Sequence, residues 1–172
     1  MPNWCEGSLK VRGRKDDILN FIKNGLKSYR YEKGHDEPVE VNMDEWIDWE
    51  YFDDGIGPIQ FICDHNWIYV DETKRAFINE DIDVYLYSVN NKNDKYIGLF
   101  GVKQAWGFKT DDWLIIAKKY NLDIKLYGIE AGMGYWQEVE IINGQIMTDY
   151  IYPRGDEYAS YIWSCPFPWM GG

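Results

Sequence analysis

The alternation Leu9-Lys10-Val11, closed by Gly13, predicts a short strand early in the chain. Beyond it the period changes. Ile18, Leu19, Phe21, Ile22 and Leu26 fall on one helical face, with Asp16 or Asp17 placed to cap the first turn and Gly25 weakening the end. The middle is less regular. IQFICDHNWIYV, DIDVYLYSV and YIGLFGVKQAW are rich in β-branched and aromatic residues and read as strands, broken by Gly55-Ile56-Gly57-Pro58 and by NNKND.

From Thr110 the helical period returns. Thr110 is a good N-cap, Asp111 and Asp112 suit the positive end of a helix, and Lys118-Lys119 suit its last turn. Trp113, Leu114, Ile116, Ala117 and Tyr120 supply the apolar stripe, Asn121 ends it, and DIKLYGIEAG follows as a strand. QEVEI-ING-QIMTDYIY then reads as a hairpin turning at Asn143-Gly144. That turn pairs Ile141 with Ile146 and Val139 with Thr148, and sets Glu138 opposite Asp149. Two strand–helix–strand passages and a hairpin predict an α+β sandwich, two helices on one face of an antiparallel sheet. A length of 172 residues suits a single domain spanning 1–172.

Charge changes this picture in one place. The net charge is −11, and nine acids with no Lys or Arg lie between Asp36 and Asp54, in DEPVEVNMDEWIDWEYFDD. The other 20 acids and the 18 bases nearly cancel. Trp46, Ile47, Trp49, Tyr51 and Phe52 are threaded through the segment, so it reads as an acidic, aromatic insertion at about 36–54 rather than a solvated tail. The expected contact surface is Asp44, Glu45, Trp46, Asp48, Trp49, Glu50, Asp53 and Asp54. The alternative is an ordinary surface element with its rings on the core. A direct nucleic-acid partner is disfavoured, because no basic stripe offers counterion release.

Candidate chemistry is sparse. Cys5, Cys63 and Cys165 are scattered, His35 and His65 are far apart, and Cys63-Asp64-His65 has no zinc-site spacing. No cofactor or metal is expected, and an EF-hand is unsupported around Asp48–Gly55. Glu138 and Asp149 form the one carboxylate pair that a hydrolase could use, although two solvated strand acids explain it as well. Gly132-Met133-Gly134 is too short to cradle a phosphate. Arg12, Arg14 and Arg30 are the candidates for holding a phosphate if the chain sequesters a small molecule. The opening has no signal-peptide pattern and no stretch has a membrane span's length, so a cytoplasmic protein is expected. The tail YIWSCPFPWMGG is expected to pack across the body through Trp163, Phe167 and Trp169, with an exposed, sticky contact surface as the alternative.

MPNWCEGSLKVRG resembles the start of the YubB-like family, found in phages, plasmids and other mobile elements. AWGFKTDDWLIIAKKYNLDIKLYGIEAGMGYWQEVEIINGQI is similar to that family's Ala-Trp block, helix, strand and Glu-x-Gly-x-Gly turn. The resemblance covers about the first 26 and the last 70 or so residues, and implies a ferredoxin-like sandwich without an iron–sulfur cluster. It departs at Glu6, where the family has Asn, and in lacking the family's Asn-Trp-Gly block. The family carries over no activity; Trp4 and Cys5 read as a ring and a thiol tucked beside the first strand. The expectation is therefore a non-enzymatic protein of a mobile element, acting in the cytoplasm of a bacterial host. It would bind a host protein with a basic surface, such as a defence nuclease, by mimicking nucleic-acid charge. A nucleotide or small-molecule sponge is the alternative, and a carboxylate-dependent hydrolase ranks behind it.

Overall fold

The computed structural model describes residues 3–30, 39–41, 58–59, 67–78, 84–90 and 95–153. The elements in chain order are β1 (Trp4–Arg14), α1 (Lys15–Gly25), β2 (Leu26–Arg30), β3 (Val39–Val41), β4 (Pro58–Ile59), β5 (Trp67–Val70) and β6 (Ala76–Ile78). They continue with β7 (Val84–Asn90), β8 (Lys95–Ala105), α2 (Thr110–Lys119), β9 (Asp123–Glu130), β10 (Tyr135–Ile142) and β11 (Gln145–Tyr152). The strands form one antiparallel sheet in the order β11-β10-β9-β1-β8-β6-β5-β2-β3, with β7 also pairing β8 and β4 pairing β7. The described residues are thus α+β with two helices, and their sheet is larger than that of a simple ferredoxin-like fold.

β1 runs the full length from Trp4 to Arg14, well beyond the short Leu9–Val11 strand expected, because it is paired on both sides. Leu9 faces Phe100 of β8 and Leu126 of β9. Cys5, Leu9 and Val11 are fully buried on the face that meets the helices. Gly7 interrupts the visible alternation for a packing reason. A Cβ there would meet the Tyr127 carbonyl oxygen and lie 2.6 Å from the Cα of Gly128, so only glycine lets β9 approach.

Both helices seal one core. Ile18, Phe21 and Ile22 of α1 and Trp113, Ile116 and Ala117 of α2 belong to a single buried cluster with the strands. Phe21 packs edge-on against Tyr120, with centroids 5.5 Å apart. Each such fully buried side chain contributes about 1.5–3 kcal/mol. The expected caps are displaced. α1 starts at Lys15 with Arg14 at the N-cap, leaving Asp16 and Asp17 inside the first turn. α2 starts at Thr110 with Lys109 at the N-cap, while its acidic first turn and basic last turn are as read. Leu26 opens β2 rather than closing α1.

The hairpin turns at Asn143-Gly144, but its register corrects the sequence reading. Ile141 faces Ile146; a bulge at the next step then shifts the pairing, so Val139 faces Asp149 and Glu138 faces Tyr150. β11 is the edge strand and accommodates one extra residue, Met147, as edges often do. The proposed Glu138–Asp149 pair is therefore not formed.

Candidate functional site

The two ends of β1 carry the two notable clusters. At the Trp4 end, the stretches that open the chain and follow β8 meet. The Trp106 amide donates to the Asn3 carbonyl at 2.8 Å. The loop between β8 and α2 is then pinned by two buried glutamines. Gln137 of β10 accepts from the Phe108 amide at 2.8 Å and donates to the Phe108 carbonyl at 3.0 Å. Gln104 of β8 accepts from the Lys109 amide and from the Trp113 indole. On this fixed loop Trp106 holds a left-handed backbone (φ 59°) and is 57% exposed. Arg75, also left-handed (φ 59°), has its guanidinium 5.7 Å from the Trp4 ring and 5.4 Å from the Trp106 ring.

Beneath that surface the polar groups are enclosed. Glu130 is 2% exposed, and its carboxylate accepts from the amides of Gly132 and Met133 at 2.9 and 2.5 Å. It thereby closes the β9–β10 turn, so Gly132-Met133-Gly134 forms a tight bend held by a carboxylate and not a phosphate cradle. Burial pushes the Cys5 thiol up, helped by the neighbouring Glu130 charge. Burial, then Cys5 and Glu130, push the Tyr135 phenol up to about 12. Cys5 is fully enclosed within β1. Trp4 is half-buried in the same strand, its ring edge-on to Phe77 at 5.8 Å.

The opposite end of β1 opens into a cavity of about 310 Å³. Arg12 and Arg14 of β1, Lys95 of β8 and Lys118 of α2 line it, against the carboxylates of Asp17 and Asp123. Arg12 donates through Nε and Nη2 to Asp123 Oδ2 at 2.9 and 2.7 Å. Arg14 grips both oxygens of Asp17 at 2.9 Å, and Asn121 donates to the same group at 3.1 Å. The Asn143 amide donates to Asp123 at 2.8 Å. Burial alone would raise the Asp123 carboxyl, but the Asn143 amide and the Arg12 guanidinium outweigh it and hold the group below its ordinary range. The Arg14 hydrogen bonds hold Asp17 below its range despite some burial.

Sequence reasoning named Arg12 and Arg14, and the fold brings them together; it did not find Lys95 or Lys118, which arrive from β8 and α2. Arg30 sits on β2, separated from β1 by β8, β6 and β5. The expected contact surface, Asp44, Glu45, Trp46, Asp48, Trp49, Glu50, Asp53 and Asp54, lies outside the described residues. So do His35, Cys63, His65, Cys165 and the aromatic tail. Among the described residues no group of three or more His, Cys, Asp and Glu could hold a metal ion, and no helix is long and apolar enough to cross a membrane. No protein-family model, no curated protein and no solved structure matches the chain.

Proposed function

We propose that this is a non-enzymatic protein that occupies a host protein through segment 36–54. The partner presents a basic surface, such as the nucleic-acid groove of a bacterial defence nuclease. One observation carries the reading: nine of the eleven surplus negative charges fall in nineteen residues, interleaved with large rings. Charge of that density steers association, and rings such as Trp46 and Trp49 anchor it. The segment passes through β3, the last strand in the sheet order, so a partner could engage it without disturbing β1, β8 and β9 at the centre. The chain acts in the cytoplasm of a bacterium that carries the mobile element. That part of the reading, and kinship with YubB-like proteins, rest on the quoted resemblance. Its ferredoxin-like core is supported by the passage β8–α2–β9, whose strands flank β1 on either side.

The test compares the natural protein with a variant carrying Asp44, Glu45, Asp48 and Glu50 changed to Lys. Both serve as bait in bacterial lysate, and the captured protein is then purified and titrated directly. A partner that binds the natural chain, weakens steeply as salt rises and competes with nucleic acid supports the reading, provided the variant loses it. Equal capture by both baits, or salt-independent binding, refutes it.

A further inference from the structure

We propose that the cavity at the Arg12–Arg14 end of β1 binds a small, doubly charged anion whose polar atoms are hydrogen-bond acceptors: a phosphate monoester or a short dicarboxylate. The proposal is independent of the protein-binding reading, since it uses none of residues 36–54.

Charge is the first argument. In a chain of net charge −11, this cavity gathers four cationic side chains around two carboxylates. The two carboxylates are already spent on the arginines through the Arg12–Asp123 and Arg14–Asp17 pairs. Lys95 acts on Asp123 only at longer range, and neither it nor Lys118 forms a close ion pair with a described residue, so by count of lining charges the surplus is two positive. A dianion matches that surplus.

The hydrogen-bond inventory is the second. A guanidinium has five N–H groups, and each arginine commits two nitrogens to its carboxylate, leaving three N–H groups apiece. Each lysine ammonium adds three more. On the acceptor side, Asp123 takes Arg12 and the Asn143 amide, and Asp17 takes Arg14 and Asn121. The spare capacity is dominated by donors. A ligand rich in acceptors satisfies it, whereas a cation or a neutral amine does not.

Shape narrows the class. About 310 Å³ sits at the small end of ligand sites. No aromatic side chain lines the cavity among the described residues, so a base or other flat ring finds nothing to stack on. A nucleotide is therefore the wrong occupant, and a compact anion the right one. The site is also held in advance of binding. Arg12 projects from a position paired with both β8 and β9, Arg14 from the last residue of β1, paired with Lys95 of β8, and their carboxylates orient both guanidinium groups, which cuts the ordering cost of binding.

The test titrates the full chain with inorganic phosphate, glycerol phosphate and succinate by calorimetry and thermal shift, at constant ionic strength set with sodium chloride. A saturable heat and a rise in Tm are expected for at least one of the three, and the tighter of glycerol phosphate and succinate identifies the source. Lys95→Gln with Lys118→Gln should weaken that binding by about tenfold or more, since two charge-assisted contacts are lost. Lys74→Gln with Lys109→Gln makes the same change in net charge at the far end of the sheet and should leave affinity unchanged. The proposal is overturned if none of the three anions acts beyond chloride, or if the two double variants bind alike.

Discussion

Replacing Gln104 by Leu keeps the side-chain volume similar and removes four hydrogen bonds from a fully buried position. Gln104 Oε1 accepts from the Trp113 indole at 2.9 Å and from the Lys109 amide at 3.0 Å. Its Nε2 donates to the Lys74 carbonyl at 3.2 Å and, more weakly, to Asp112 Oδ2 at 3.4 Å. These losses are unequal. Trp113 is 0% exposed, so its orphaned N–H has no route to water and costs about 1–3 kcal/mol. Lys74 and Lys109 are exposed residues whose backbone groups recover water in part, adding about 0.5 kcal/mol each. Asp112 keeps the Lys74 amide at 2.8 Å. The expected total is about 2–4 kcal/mol. Urea unfolding followed by far-ultraviolet circular dichroism measures it, with Trp113→Phe completing a double-mutant cycle. Phe removes the orphaned donor, so this change should cost less in the Gln104→Leu background, with a coupling of about 1–2 kcal/mol. A loss below about 0.5 kcal/mol for Gln104→Leu, or zero coupling, would refute the account of these buried bonds as needed partners of the indole.

Gly7→Ala should be among the most damaging single methyl additions. Its Cβ meets backbone of β9 rather than a flexible side-chain tip, so a loss of about 3 kcal/mol or more is expected in the same unfolding assay. Asp123→Asn should cost about 1–2 kcal/mol at neutral pH by weakening the Arg12 contact. A carboxyl held below its ordinary value stabilises the fold above that value. The difference between natural chain and variant should therefore shrink as pH falls below 3.8, and unfolding curves at several pH values would reveal a flat difference if this sign is wrong. Cys5, buried and raised, should resist iodoacetamide at pH 8 in the native state and react once urea unfolds the chain. Peptide mapping by mass spectrometry separates it from Cys63 and Cys165, and rapid native labelling would contradict its enclosure.

What the sequence disclosed follows from which forces are local. α2 was legible because its apolar stripe, acidic start and basic end all lie within a dozen residues. The Asn143-Gly144 turn was legible for the same reason. The pairing beyond the turn was not, because a one-residue bulge leaves no mark on the hydrophobic period, and it moved Asp149 away from Glu138. β1 was under-read because Gly7 and Ser8 break an alternation that only the approach of β9 explains. Half of the cavity's cations were named from sequence. Lys95 and Lys118 were not, since each looks like an ordinary solvated lysine until β8 and α2 are folded onto β1.

The double pairing of β1 also has a consequence for how the chain is made. Arg12 and its partner Asp123 are 111 positions apart, and Leu9 pairs with Leu126 in the same register. β1 therefore waits for strands made much later. At about 5–20 residues per second that delay is on the order of ten seconds. Leu9 and Val11 have neither neighbour until β8 is made, and lack β9 until the end of that interval. The sheet around β1 is assembled from segments far apart in the chain, so its nascent form is a natural client for whatever shields apolar surface at the ribosome exit.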